Sequence, residues 1–227
     1  MMANSFKTIR DILDASRRGD SLYSIYQRLE QSEALLKERK KNAFELLFEI
    51  LIPSITEEQA QELAKFSTKS LKIYATNISI PIAQAISLYK GDKLFFNEIQ
   101  QLDEATAKML AQWKGYWFFL NGLQELKECT AKALAQWQGI GLFLNGLQKL
   151  EEATAKALDQ WNGSWLFLDG LKQVDESTAK AFAQWQRRTL NLNGVKEIDE
   201  ATAKALAQYK GTIKTTEKIL EQINKFK

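Results

Sequence analysis

Apolar positions along most of this chain recur with two alternating periods. A stretch such as Glu104, Ala105, Thr106, Ala107, Lys108, Met109, Leu110, Ala111 sets small and aliphatic residues at i, i+3 and i+4 (Ala107, Leu110, Ala111), which predicts an amphipathic helix with an acidic start. The stretch after it alternates: Phe118 and Leu120, Leu142 and Leu144, Leu166 and Leu168, and Leu190 and Leu192 are spaced by two and predict short strands with one face buried. Asn121-Gly122, Asn145-Gly146, Asp169-Gly170 and Asn193-Gly194 close those strands, and glycine there is expected at positive φ. A β-hairpin is rejected, because a helix intervenes before the next strand. Strand, turn, helix, strand in this order predicts a parallel sheet with helices outside it and right-handed crossovers.

The whole pattern is repeated. Thr106, Thr130, Thr154, Thr178 and Thr202 follow one another at intervals of 24 residues, and Trp113, Trp137, Trp161 and Trp185 keep the same beat, closed by Tyr209. Looser copies precede them: Ile55, Ala60, Leu63, Ala64 and Phe66 match Ile78, Ala83, Ile86, Ser87 and Tyr89 at a spacing of 23, with Leu71/Ile73 and Leu94/Phe96 in the strand places. Such a period means a solenoid, here beginning near Ile55. Residues 4–53 carry helical stripes and no repeat: Phe6, Ile9, Ile12 and Leu13, then a long helix or broken pair with Leu22, Ile25, Tyr26 and Leu29 and with Ala43, Phe44, Leu47, Ile50 and Leu51, ended by Pro53. After Gly211 the strand pattern is read as failing, and Thr215-Thr216 leads into a last helix striped by Ile219, Leu220, Ile223 and Phe226. Solenoid ends need covers, so the expected organisation is an N-terminal helical cap (1–54), a solenoid (55–211) and a C-terminal capping helix (212–227).

Units such as Phe118-Phe119-Leu120-Asn121-Gly122-Leu123-Gln124-Glu125-Leu126, followed by helices of the Glu-Ala-Thr-Ala-Lys-Ala-Leu-Ala type, resemble the bacterial leucine-rich repeats of the Leu-x-Leu-x-Gly-Leu-x-x-Leu type. The resemblance covers about 55–211. It implies an α/β, right-handed solenoid with the parallel sheet on its concave face, helices on its convex face, and a binding scaffold as the mode of action. Leu123, Leu147, Leu171 and Val195 stand where the usual ladder asparagine would be, so the inner asparagine spine is expected to be absent.

Composition narrows the chemistry. With 227 residues, 45% of them apolar, the chain buries a real core, and Lys+Arg 31 against Asp+Glu 28 leaves a net charge of +3, too small for a strong nucleic-acid or membrane footprint. There is no histidine, so the commonest general base and metal ligand are missing. Cys129 occupies the place of Ala105, Ala153, Ser177 and Ala201 and is read as a small packed side chain. Glu104 and Lys108, with their copies at 128/132, 152/156, 176/180 and 200/204, form solubilising i,i+4 pairs. No acidic residue stands out from these helix starts, so no catalytic residue, metal or cofactor is assigned. No secretion signal or membrane-length apolar window is seen, and a cytoplasmic protein is expected.

Binding is the remaining chemistry. If 118 and 120 point inward, their neighbours point out: Phe95, Phe119, Phe143 and Phe167, flanked by Trp117 and Trp165, form an aromatic stripe that ends where Arg187, Arg188 and Asn191 replace Gly163, Ser164 and Phe167. Rings half exposed at roughly 100 Å² each would leave about 600 Å² of apolar surface, more than monomers usually leave bare. The expected partner is a protein, a peptide or a second copy of the chain. The competing reading is that the stripe is covered by the C-terminal tail or merely echoes duplication. A different class, nucleic-acid or acidic-surface binding, would use residues 37–41 (Lys37, Glu38, Arg39, Lys40, Lys41), Arg187, Arg188 and the Lys-rich tail, although a solvated helix face explains residues 37–41 as well. The tryptophan series is read as core packing.

Overall fold

The structure is a computed structural model, and it describes residues 5, 7, 9–39, 57–64, 69–185 and 189–227. Three helices come first: α1 (Ile9–Arg17), α2 (Leu22–Glu30) and α3 (Glu33–Arg39). Gly19 makes the turn after α1 at φ +83°, a conformation that other side chains rarely adopt, and the Ser21 hydroxyl accepts from the Ser24 N–H to start α2. The pair beyond Gly19 is thus broken, at Gln31 and Ser32, rather than one long helix. Ile12, Ala15, Ile25, Leu29 and Leu35 are buried. The stripe Ala43, Phe44, Leu47, Ile50, Leu51 and Pro53, together with Lys40, Lys41, Ile55 and Phe66, lies outside the described residues.

From α4 (Glu57–Leu63) onward, helix and strand alternate: β1 (Ser70–Lys72), α5 (Ile80–Ser87), β2 (Lys93–Phe95), α6 (Glu104–Leu110), β3 (Trp117–Phe119), α7 (Glu128–Leu134), β4 (Gly141–Phe143), α8 (Glu152–Asp159), β5 (Trp165–Phe167), α9 (Glu176–Gln184), β6 (Thr189–Asn191), α10 (Glu200–Ala207), β7 (Thr212–Lys214) and α11 (Glu217–Asn224). All seven strands are parallel and stand in chain order, with Leu71, Leu94, Phe118, Leu142, Leu166, Leu190 and Ile213 in one register row. The arrangement is solenoid-like, with each helix from α4 onward packed on the next. The strand pattern does not fail after Gly211. Ile213 alone of Thr212, Ile213 and Lys214 is apolar, too short a signal to read, yet it pairs with Leu190 and is buried.

Burial of the alternating residues drives this stacking. Leu142, Leu144, Leu166 and Leu168 are fully buried, each contributing about 1.5–3 kcal/mol relative to exposure. Trp113, Trp137 and Trp161 are also fully buried and stack with ring centroids 5.8 Å apart. A Cβ on Gly115, Gly139 or Gly163 would come within 1.9 Å of the indole two residues earlier, so Trp-x-Gly is one packing unit.

Polar groups close the stack. The buried hydroxyls of Thr130, Thr154 and Thr178 donate to the carbonyls of Leu102, Leu126 and Leu150 in the preceding unit, at 3.1–3.2 Å. Each such hydrogen bond contributes about 0.5–1.5 kcal/mol. The turn glycines are not at positive φ as the Asn-Gly pairs suggested, since Gly19 is the one described glycine there. Their reason is proximity: a Cβ on Gly146 would meet the Asn121 carbonyl oxygen at 2.2 Å. Beside them runs an asparagine ladder two residues before the usual inner position. The Asn121, Asn145 and Asp169 Oδ1 atoms accept from the backbone N–H of Asn145, Asp169 and Asn193, at 3.2, 3.0 and 3.0 Å. The inner places are buried by Leu123, Leu147, Leu171 and Val195.

Candidate interaction surface

Each strand has three residues, and its middle residue faces the helices. Phe95, Phe119, Phe143 and Phe167 are the third residues of β2 to β5 and stand in register, half-buried, on the other side of the sheet. Parallel pairing places them one strand apart, and they stack face to face with centroids 4.0, 4.0 and 3.9 Å apart and planes within 17°. The faces of Phe119 and Phe143 are therefore covered on both sides. What remains open is their edges, so the apolar area is smaller than that of separate half-exposed rings.

The first residues of β3, β4 and β5 add a second row. Trp117, Gly141 and Trp165 are in register, and a Cβ on Gly141 would meet the six-membered ring of Trp117 at 2.4 Å. Glycine thus lets the indole lie down across β4 toward Phe143, 6.0 Å away. Trp165 lies 6.3 Å from Phe167. Tyr116 and Ile140, one residue before β3 and β4, are exposed apolar neighbours at the strand starts.

The polar boundary differs from the sequence expectation. Asn191 is in register with Phe167 but only 4% exposed, and its Nδ2 donates to the Leu166 carbonyl at 3.4 Å. Arg187 and Arg188 lie outside the described residues. Instead, the Lys214 Nζ reaches over β6 to 5.0 Å from the Trp165 ring, and the Lys72 Nζ lies 5.9 Å from the Phe95 ring. Lys93, on β2, is exposed. Lys72 and Lys214 were not legible in the sequence because β1 and β7 carry only a weak strand signal. Extending the outward row by one repeat in each direction reaches Lys72 and Lys214.

The C-terminal helix α11 packs on α10, with Ile219 and Ile223 buried there. Cys129 is exposed, not packed, because Thr130, Ala131, Ala133 and Leu134 take the inward face of α7. Displaced carboxyl pKa values belong to helix starts. The Thr106 and Thr178 N–H groups hold Asp103 and Asp175 below the ordinary value, and the Thr202 hydroxyl and N–H do so for Asp199. Among the described residues no His/Cys/Asp/Glu group is arranged to hold a metal ion, and no helix is long and apolar enough to cross a membrane. No protein-family model matches this chain, and no curated protein matches it at a significant level.

Proposed function

We propose that this protein is a non-enzymatic interaction scaffold of the leucine-rich-repeat type, working in the cytoplasm, that holds a protein or peptide partner across the aromatic face of its sheet. In this reading the sheet lines the concave side of a right-handed coil, and α1–α3 and α11 close its two ends. The observation that carries it is the stacked column of half-buried phenylalanines bordered by two tryptophans. Aromatic clusters with a polar edge are where interface energy concentrates. A nucleic-acid platform is less well supported, since bases stack on open ring faces and the faces of Phe119 and Phe143 are taken.

The test is Phe119→Ser/Phe143→Ser in a pull-down from native cytosol, alongside light scattering for self-association. Partner capture or self-association should be lost while circular dichroism is retained. Unchanged capture by a folded double variant would refute the assignment of this face.

A further inference from the structure

The repeat sets three Asn-Gly pairs, Asn121-Gly122, Asn145-Gly146 and Asn193-Gly194, at one point of the fold, with Asp169-Gly170 between the last two. All four make the same turn, in which the N–H of Leu123, Leu147, Leu171 or Val195 donates to the carbonyl three residues back, at 3.1–3.2 Å. Backbone shape therefore does not tell them apart. What differs is how each side chain is held in the ladder.

Asn121 and Asn145 are half-buried, and the Oδ1 of each accepts from the backbone N–H of the next rung, at 3.2 and 3.0 Å. Asn193 is exposed and is the last rung. After β7 the chain runs into Thr215, Thr216 and α11 instead of another Asn-Gly turn, and the bond made there is from the Thr215 hydroxyl to the Leu192 carbonyl. Among the described residues, the Asn193 Oδ1 accepts no hydrogen bond. The side chain is tied instead through Nδ2, which donates backward to Asp169 at 2.9 Å.

We propose that Asn193 deamidates spontaneously, ahead of Asn121 and Asn145, and that the carboxylate so formed opens the last rung of the ladder. This is independent of what the sheet face binds. A glycine after asparagine leaves its backbone nitrogen unshielded by a Cβ. With its proton taken by hydroxide, the Gly194 nitrogen bonds to the Asn193 Cγ. The Cγ–Nδ2 bond breaks, ammonia leaves with a proton from water, and a five-membered succinimide remains, which water opens to aspartate or isoaspartate. At Asn121 and Asn145 the same closure must first pull Oδ1 away from the following rung, whereas no rung follows Asn193. The product sets a second carboxylate beside that of Asp169, where an amide donated before, and like charges at that distance repel.

The experiment ages the full-length protein in mildly alkaline buffer, folded or in urea, and follows by peptide mass spectrometry the gain of about one dalton at each asparagine. In the folded protein Asn193 should convert at least fivefold faster than Asn121 or Asn145. In urea the three should convert within about twofold of one another, because their sequence neighbours are nearly the same. Equal rates in the folded protein, or Asn193 slowest through its tie to Asp169, would overturn the site. The opening is read by amide hydrogen exchange at Leu192, whose N–H donates to the Lys214 carbonyl at 2.7 Å across the last strand pair. Exchange there should quicken at least threefold in aged protein and in fresh Asn193→Asp. It should stay at the parent rate in aged Asn193→Gln, whose amide would have to close a less favourable six-membered ring. Unchanged exchange in Asn193→Asp would overturn the opening while the modification site stands, and quickened exchange in aged Asn193→Gln would break the link to residue 193.

Discussion

Two aromatic ladders with the same 24-residue beat lie on opposite sides of one sheet. Trp113, Trp137 and Trp161 are fully buried among the helices at 5.8 Å spacing, whereas Phe95, Phe119, Phe143 and Phe167 stack at 3.9–4.0 Å with their edges open. The first ladder has a glycine cleared for each of these three rings; the second is bounded by lysines. An identical sequence signal therefore serves stability on one side and, in the function proposed above, recognition on the other. Which side a ring faces, rather than how regularly it recurs, separates the two roles.

The sharpest way to break the contrast is Trp137→Ala. Removing a fully buried ring from the middle of its stack should cost about 3–5 kcal/mol in urea unfolding. Gly139→Ala attacks the same ladder without touching a ring. The Trp137 indole would have to move from a Cβ 1.9 Å away, at a cost of about 1–3 kcal/mol, read as a fall in the urea midpoint with unchanged slope. Phe143→Ala should cost only about 1 kcal/mol, because the ring is half-buried, while reducing partner capture. Equal destabilisation by Phe143→Ala and Trp137→Ala would erase the distinction.

A smaller effect tests the helix side alone. Asp103, Asp175 and Asp199 cap their helices by accepting from Thr106, Thr178 and Thr202, at 2.7–2.8 Å, whereas Lys127 and Glu151 in the same place make no side-chain cap. Lys127→Asp and Glu151→Asp should each raise stability by about 0.5–1 kcal/mol. The natural caps also set an acid response. A carboxyl whose pKa is depressed by folding contributes stability that is present above its unfolded value and lost as pH falls through the folded one. The melting temperature should thus fall below about pH 4. Asp103→Asn/Asp175→Asn, which keeps capping but cannot titrate, should flatten that fall.

Periodicity alone was enough to read the alternation of helix and strand, the parallel order, the inward leucines, the outward phenylalanines and the Glu–Lys pairs. These follow from spacings of two, three and four residues inside a unit, and copying a unit in register carries them across the sheet. Other features depend on what lies a full turn or more away, where no local spacing reports it. The turn glycines are required by a carbonyl of the preceding unit, not by their own φ, and the ladder Asn121–Asn145–Asp169–Asn193 exists because one backbone N–H meets the previous side chain. Asn191 is buried although its row faces outward, and Lys214 reaches Trp165 across an intervening strand. Repetition therefore determined the stack, while contacts between units, made only once the chain has coiled, decided which repeated groups are spent on the fold and which remain open at its surface.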